Sequence, residues 1–470
     1  MKRISYLILV LYCLGIGAVN AQYTVLHNFY GDSVVSTTNG VNPQGSLTIS
    51  GGILYGMTTF GGTHDVGTVF SMDSNGNSYM DLLDFDTANS IYPYANLTLV
   101  GNVLYGMTIG SSNINGSLFS VNTNGSGYRY MVDFNGSNGQ NPYGSLTRSG
   151  NLLYGMVSTN ATETAIIFSI DTDGNNFKIV STFSGIPQGS LTLSGSKLFG
   201  MLTYGGPNIV GYIFTVDTSG NGFKDLLDFN NVNGATPTGS LIISGNELYG
   251  MTNSGGVDTL GVIFSIDTNG SGYKKLHDFK LITGSNPWGD LVLCGSNLYG
   301  MTSGGGINGC GCIFSIDTNG SAYSDLFDFN GKNGNGPYGS LTLSGGVLYG
   351  MTWAGGVYGG GVIFSFKDAA LGVNQLTNNL KGVELSPNPS NGKFTIQSLG
   401  VSGQSLVEIY NEIGQKVASS NSSEGGAFKS LPSGGQGWAL DLSNQPAGIY
   451  LYRVITLEGE LVGSGKLIIQ

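Results

Sequence analysis

The chain of 470 residues carries 79 glycines, 40 % hydrophobic residues and only 10 % charged residues, so it has neither the high charge nor the low hydrophobicity of a disordered polypeptide. Its net charge of −11 at pH 7 argues against nucleic acid as a partner, because an acidic surface repels a phosphate backbone. Glycine set among Tyr, Phe, Val, Ile and Thr reads as short strands joined by tight turns, and the expected fold class is all-β.

In chain order, Met1-Lys2-Arg3 is followed by an apolar run over 4–17 and then Val19-Asn20-Ala21. This is the basic, apolar and small-residue pattern of a signal peptide, so residues 1–21 are expected to be removed on export. The run is too short to span a bilayer comfortably, and no other stretch reaches about 18 uninterrupted apolar residues, so no transmembrane helix is expected. Cys13 as a lipoprotein cysteine is disfavoured by the bulky Tyr12 before it. Cys294, Cys310 and Cys312 remain, all in one stretch. Export permits a disulfide, and two arrangements stay open: Cys294 bridged to one of the other two, or three thiols. A Cys-x-Cys pair without a second pair does not make a zinc site.

From there a period governs the chain. Leu-Tyr-Gly-Met recurs at Leu54, Leu104, Leu153, Leu198 (with Phe199 for Tyr), Leu248, Leu298 and Leu348, at intervals of 45 to 50 residues. Each repeat predicts four strands, which in the sixth fall at 290–294, 298–302, 312–316 and 323–329. The turn Asp317-Thr318-Asn319-Gly320 joins the third to the fourth, since those residues accept positive φ. Four antiparallel strands on this period match a β-propeller blade; a solenoid would want shorter coils and polar caps. The last repeat supplies three strands only, while residues 23–29 match fourth strands such as 273–279. The first strand of the chain is therefore expected to complete the last repeat, closing a seven-bladed β-propeller over 22–367 and leaving no open edge.

The recurring Gly-Ser-Leu-Thr-Leu-Ser-Gly, Leu-Tyr-Gly-Met-Thr, Gly-Gly and Ile-Phe-Ser-Ile-Asp resemble the GloVer tandem-repeat family of exported bacterial proteins with varied C-terminal anchors, a family without assigned biochemistry. The period ends after Phe366, and residues 368–382 read as a linker. Residues 383–470 carry Pro387-Asn388-Pro389 with Gly392, then Gly414, then Gly448 with Tyr450. These segments are similar to the type A C-terminal sorting domain of type IX secretion, found in Bacteroidota. Their short strands and Pro/Gly turns suggest a small β-sandwich. The resemblance implies the type IX secretion machinery as a partner, passage across the outer membrane, and removal of the domain or its exchange for a surface anchor.

Function is expected on the loops that lead into each repeat and on those between its second and third strands. Blade topology puts both sets on one face, and they are long and variable where the other turns are short. After the proline of the loop leading into each repeat stand Tyr94, Tyr143, Trp288 and Tyr338, where the other repeats have Gln44, Gln188 and Thr238. The second set of loops adds Phe60, Tyr204, Trp353 and Tyr358. Aromatic rings among Asn, Ser and Gly suit sugars, which offer apolar faces and hydroxyl edges; the alternative is that these rings plug the channel mouth or pack between blades.

Other constellations read as structural. The turn at 267–272 superficially fits a calcium loop, but a strand separates it from Asp278 by roughly 20 Å. It is similar to an Asp-box hairpin, with equivalents at Asp73, Asn122, Asp171, Asp217 and Asp317. Asp84, Asp133, Asp228, Asp278 and Asp328, with Asn28 and Thr182 as their counterparts, could bind a cation or act as acid and base, yet recurrence in nearly every repeat argues for a role in building the blade. Tyr299 and Met301 are expected in the core, with Gly300 permitting close approach. His27, His64 and His277 are scattered. No catalytic residue, metal site or cofactor is expected. The favoured reading is an exported surface binding or adhesion protein for glycans, leaning away from an enzyme. The alternatives are a propeller polysaccharide lyase or glycosidase, although a glycosidase needs two carboxyls roughly 5–10 Å apart, and a passive surface-layer or matrix component.

Overall fold

The computed structural model describes residues 22–31, 39–86, 90–110, 115–159, 164–368, 383–386, 390–398, 405–411, 416–419, 428–430, 437–446, 448–456 and 461–469. The expected signal peptide, 1–21, and the expected linker from 369 on lie outside them. The chain divides into two units, Met1–Leu371 and Gly372–Gln470.

The first unit is all-β: its described residues form seven antiparallel sheets of at least four strands that follow one another along the chain. In the sixth repeat the strands are Val292–Cys294, Asn297–Thr302, Cys312–Asp317 and Ser324–Asp328, hydrogen-bonded in that order. The first is shorter than the residue pattern predicts. Residues 289–291 leave the ladder because Asp290 N–H donates to Ser340 Oγ of the next repeat. The two middle strands are buried along their length, Leu298, Tyr299, Met301, Ile313, Phe314 and Ile316 among them. They read as continuous apolar runs because both faces are covered. Gly300 lies opposite Phe314 in the ladder, and a Cβ on it would stand 2.5 Å from that ring.

The apolar core lies between sheets. Each fourth strand delivers a phenylalanine onto the third-strand phenylalanine of the following sheet. The pairs are Phe85–Phe119, Phe134–Phe168, Phe183–Phe214, Phe229–Phe264, Phe279–Phe314 and Phe329–Phe364, at centroid distances of 4.6 to 5.6 Å. A seventh pair, Phe29–Phe70 at 5.7 Å, joins the last sheet to the first. It can do so because Gln22–Tyr30 pairs antiparallel with Gly359–Lys367, setting Tyr23 opposite Phe366 and Asn28 opposite Val362. The opening strand of the chain thus completes the sheet of the last repeat. Edge-to-face and tilted aromatic pairs of this kind are worth about 0.5–1.5 kcal/mol beyond their area burial.

Two imidazoles sit at such junctions: His27 stacks on Tyr79 at 4.2 Å and His277 on Tyr323 at 3.7 Å. Burial pushes both down to about 4. A lowered histidine pKa contributes stability that is whole above about 6.5 and is lost as pH falls toward 4, because the unfolded chain binds the proton more readily. Asp81 and Asp325, pushed up to about 6 mainly by burial, act with the opposite sign in the same range. Comparison of variants isolates the histidines: between pH 7 and pH 5 the melting temperature of a His27→Phe/His277→Phe variant is expected to fall less than that of the parent in calorimetry. An equal fall would contradict this assignment.

The second unit holds two four-stranded antiparallel sheets. One orders Val383–Ser386, Lys393–Ser398, Gly437–Asp441 and Phe428–Ser430; the other orders Lys416–Ser419, Ser405–Tyr410, Gly448–Thr456 and Leu461–Ile469. Phe394 and Leu440 from the first share a core with Val407, Ile409, Tyr450, Val454 and Leu467 from the second. Of the expected sorting-motif residues, Gly392 occupies a buried turn at φ 95°, Gly448 opens a strand, and Tyr450 donates its hydroxyl to the Pro446 carbonyl at 2.9 Å. Pro387, Asn388, Pro389 and Gly414 lie outside the described residues.

Candidate functional site

The residue two places before the first strand of each repeat has a short polar side chain, and that side chain accepts a backbone N–H from the repeat before it. Ser46 N–H donates to Asn96 Oδ1 (2.5 Å), Asn96 to Ser145 Oγ (2.9 Å), Ser145 to Ser190 (2.7 Å) and Ser190 to Ser240 (2.9 Å). Ser240 then donates to Asp290 Oδ1 (2.5 Å), Asp290 to Ser340 Oγ (2.7 Å) and Ser340 to Ser46 Oγ (2.6 Å), which returns to the start. One layer on, Thr48, Thr98, Thr147, Thr192 and Thr342 donate hydroxyls to leucine carbonyls of the neighbouring repeat. Except at Ala95, a preceding glycine makes this approach feasible: a Cβ on Gly189 would stand 2.1 Å from the Gly239 carbonyl oxygen.

The same circle of residues helps to line a pocket to which all seven repeats contribute. Tyr94, Tyr143, Trp288 and Tyr338 line it, with Gln44, Gln188 and Thr238 at the corresponding position of the other three repeats. Tyr94 and Tyr143 meet edge to face at 5.2 Å, Trp288 and Tyr338 at 5.6 Å. Trp353 adjoins through Tyr338 at 6.2 Å, and Asn42 Nδ2 donates to its carbonyl at 2.7 Å. Burial, and then the hydroxyls of Tyr143 and Tyr338, push Tyr94 up to about 12.

The remaining aromatic candidates go elsewhere. Phe60 packs against Tyr92 at 5.4 Å and lies in a two-residue strand, Phe60–Gly61, paired with Gly40–Val41. Tyr204 is 42 % exposed and Tyr358 stacks on Tyr30 at 4.1 Å; neither is among the residues lining the pocket. Asp84, Asp278 and Asp328, with Asn28, are loop clamps. Asp278 accepts Val257 N–H, Asp328 accepts Ile307 N–H and Asn28 accepts Val357 N–H, each at 2.8–2.9 Å, while Asp84 accepts the Thr63 hydroxyl. The hairpin acids bond their own turns, as Asp73 does with Asn75 and Asn77 N–H. Cys310 and Cys312 are unbridged, so neither pairs with Cys294. The Cys312 thiol is pushed up to about 12, first by burial, which keeps it protonated and unreactive.

One residue of the pocket was not singled out by pattern. Asp290 reads as the start of a strand, yet it lines the pocket and is the one charged side chain among the lining residues. The signal that could have found it is its column: aligned on the period, Ser46, Asn96, Ser145, Ser190, Ser240 and Ser340 are neutral and Asp290 alone carries a carboxylate. Burial pushes that carboxyl upward, against the hydrogen bonds from Ser240 and Ser340.

Comparison with known proteins places both units. Residues 14–165, 110–283 and 186–398 match the Gloeobacter/Verrucomicrobia repeat, and residues 384–470 match the secretion system C-terminal sorting domain. A sorting domain of this kind directs a protein through type IX secretion to the cell surface or the extracellular space. No curated protein matches in sequence. Among solved structures, the chain is similar to an oligogalacturonate lyase in complex with manganese, at 11 % identity over 75 % of this chain and 98 % of that one, TM-score 0.48. It is also similar to Kuenenia stuttgartiensis hydrazine synthase, at 17 % over 69 % and 96 %, TM-score 0.48. The beta-propeller domain of the Trilobed protease from Pyrococcus furiosus matches at 8 % over 70 % and 96 %, TM-score 0.44. At these scores the likenesses carry no information on activity. Among the described residues no helix is long and apolar enough to cross a membrane.

Proposed function

Because the chain belongs to the Gloeobacter/Verrucomicrobia repeat family and ends in a secretion sorting domain, we propose that its seven sheets are the blades of a closed seven-bladed propeller, exported as a surface module that binds glycans at the mouth of the ring. The boundaries we assign are a propeller over 22–367 and a sorting domain over 383–470. The observation that carries the binding reading is the convergence of Tyr94, Tyr143, Trp288 and Tyr338, each from a different repeat, on one pocket. Rings held by tight neighbouring packing offer stacking faces at small entropic cost, and the glutamines and serines between them offer hydrogen bonds to hydroxyls. A single carboxylate at the pocket supports binding over glycoside hydrolysis, which needs two.

The test is a polysaccharide and glycan-array screen on the full exported chain, beside Trp288→Ala and Tyr338→Ala variants. Binding is expected, with each variant about tenfold weaker or worse, as for the central anchors of other binding sites. Undiminished binding in both variants would move the site off this pocket. No binding by the folded parent would leave the passive matrix component as the better reading.

A further inference from the structure

A carboxylate is not required for the backbone hydrogen bond that links Asp290 to Ser240, although the Ser240 and Ser340 hydroxyls also face it. Asn96 occupies the same place in the second repeat, and its Oδ1 accepts Ser46 N–H at 2.5 Å as Asp290 Oδ1 accepts Ser240 N–H at 2.5 Å. Serine serves in the other five. An amide or hydroxyl satisfies the geometry without the cost of removing a charge from water, which is several kcal/mol for a buried ion. Hydrogen bonds from Ser240 and Ser340 offset part of that cost, but among the described residues no lysine or arginine forms an ion pair with Asp290. Acceptors elsewhere in the pocket are left over as well. Gln44 Oε1 and Gln188 Oε1, in the same pocket, are buried without a hydrogen-bond partner. Trp288 and Tyr338 line the same space, and aromatic rings attract organic cations.

A carboxyl without a cationic partner, unused acceptor oxygens and aromatic walls are together the complement of an ammonium group, which brings three donors and one positive charge that would hold the carboxyl ionised. We infer that the pocket takes its glycan through a free ammonium, as on an N-deacetylated hexosamine unit, with Asp290 as the anion that selects it. This rests on the glycan reading above. Repeat symmetry sharpens it: a ring built from like columns has no intrinsic preference for one blade, and Asp290 would fix the amino group beside the sixth. A calcium ion is a poorer occupant, because it takes six to eight oxygen ligands and no cluster of three acidic, histidine or cysteine side chains gathers among the described residues.

The experiment is calorimetric titration of the full exported chain, at low and at moderate salt, with three oligosaccharides of equal length: a glucosamine oligomer, an N-acetylglucosamine oligomer and a cello-oligosaccharide. Asp290→Asn and Asp290→Ser are titrated in parallel. Both substituents already occur in this column, and thermal unfolding of each variant verifies its fold. The expected result is binding of the glucosamine oligomer about tenfold tighter than of the other two, a preference that weakens with salt. It should vanish in both variants while their affinity for the neutral sugars persists. Equal affinity for all three oligomers, or a preference unchanged in the Asp290 variants, would overturn the inference and leave the aromatic site standing. Binding of none of the three by the folded parent would overturn both.

Discussion

A variant lacking Gln22–Tyr30 is expected to lose the cooperative fold of its repeat unit. Those nine residues form the outer strand of the last sheet and serve two junctions at once. On one side Phe29, fully buried, meets Phe70 of the first sheet, and His27 lies flat on Tyr79. On the other, Tyr23 stacks on Phe327 at 4.1 Å and donates its hydroxyl to the Asn333 carbonyl at 2.5 Å. Burial of each such side chain is worth about 1.5–3 kcal/mol, so the strand as a whole rivals the 5–15 kcal/mol by which folded domains are usually stable. Its removal also bares the backbone of Gly359–Lys367, an edge open to pairing with another chain. The measurement is calorimetric unfolding with limited proteolysis. The shortened variant should show no sharp transition and rapid cleavage, and a synthetic peptide of residues 22–31 added in trans should restore part of both. A shortened variant as stable as the parent would refute the strand's closing role and the proposed ring with it.

Phe314→Ala is the point substitution expected to cost most. Phe314 is fully buried, meets Phe279 at 5.3 Å and Tyr323 at 5.5 Å, and covers Gly300 of its own sheet. Truncation of such a ring costs about 3–5 kcal/mol, transfer and cavity together, against well under half of that for the 42 % exposed Phe223. Denaturant unfolding reads the difference. The same site yields a compensation test. Gly300→Ala drives a Cβ to within 2.5 Å of the Phe314 ring and should cost about 1–3 kcal/mol through overpacking. Adding Phe314→Leu should return part of that loss, so that the two changes are less than additive. Strict additivity would show that the glycine is there for another reason.

The repeat unit was legible because its pattern is local and iterated. Leu-Tyr-Gly-Met with the following Ile-Phe-Ser-Ile-Asp marks the two covered strands, since Leu298, Tyr299, Phe314 and Ile316 must be apolar on both faces. Asn-Gly and Asp-x-x-Gly mark the turns. Even the pairing of the first strand with the last sheet could be read, from the likeness of 23–29 to 273–279. The acids at the strand ends were legible as structure for the same reason: a residue repeated in nearly every unit does what every unit needs, and Asp278 and Asp328 hold loop amides.

The candidate site was legible only in part. Period and chemistry together mark Tyr94, Tyr143, Trp288 and Tyr338, but they mark Phe60 and Tyr204 as strongly, and a loop aromatic carries no local sign of the direction it takes. Phe60 packs against Tyr92 where its loop pairs with Gly40–Val41; that pairing recurs, as Ile186 with Tyr204 and Asn335 with Ala354, so the period encodes the pairing but not the direction of the ring. Asp290 shows the converse. Its residue type and place in the repeat are plain in the sequence, but its weight depends on a hydrogen bond from Ser240, the absence of a partner cation among the described residues, and the rings sharing its pocket. Periodicity dictates what each unit must bury and where it must turn, because those demands act over a few residues. Which side chains meet at the shared pocket follows from the packing of seven units against one another, where contacts join residues from 44 to nearly 300 positions apart.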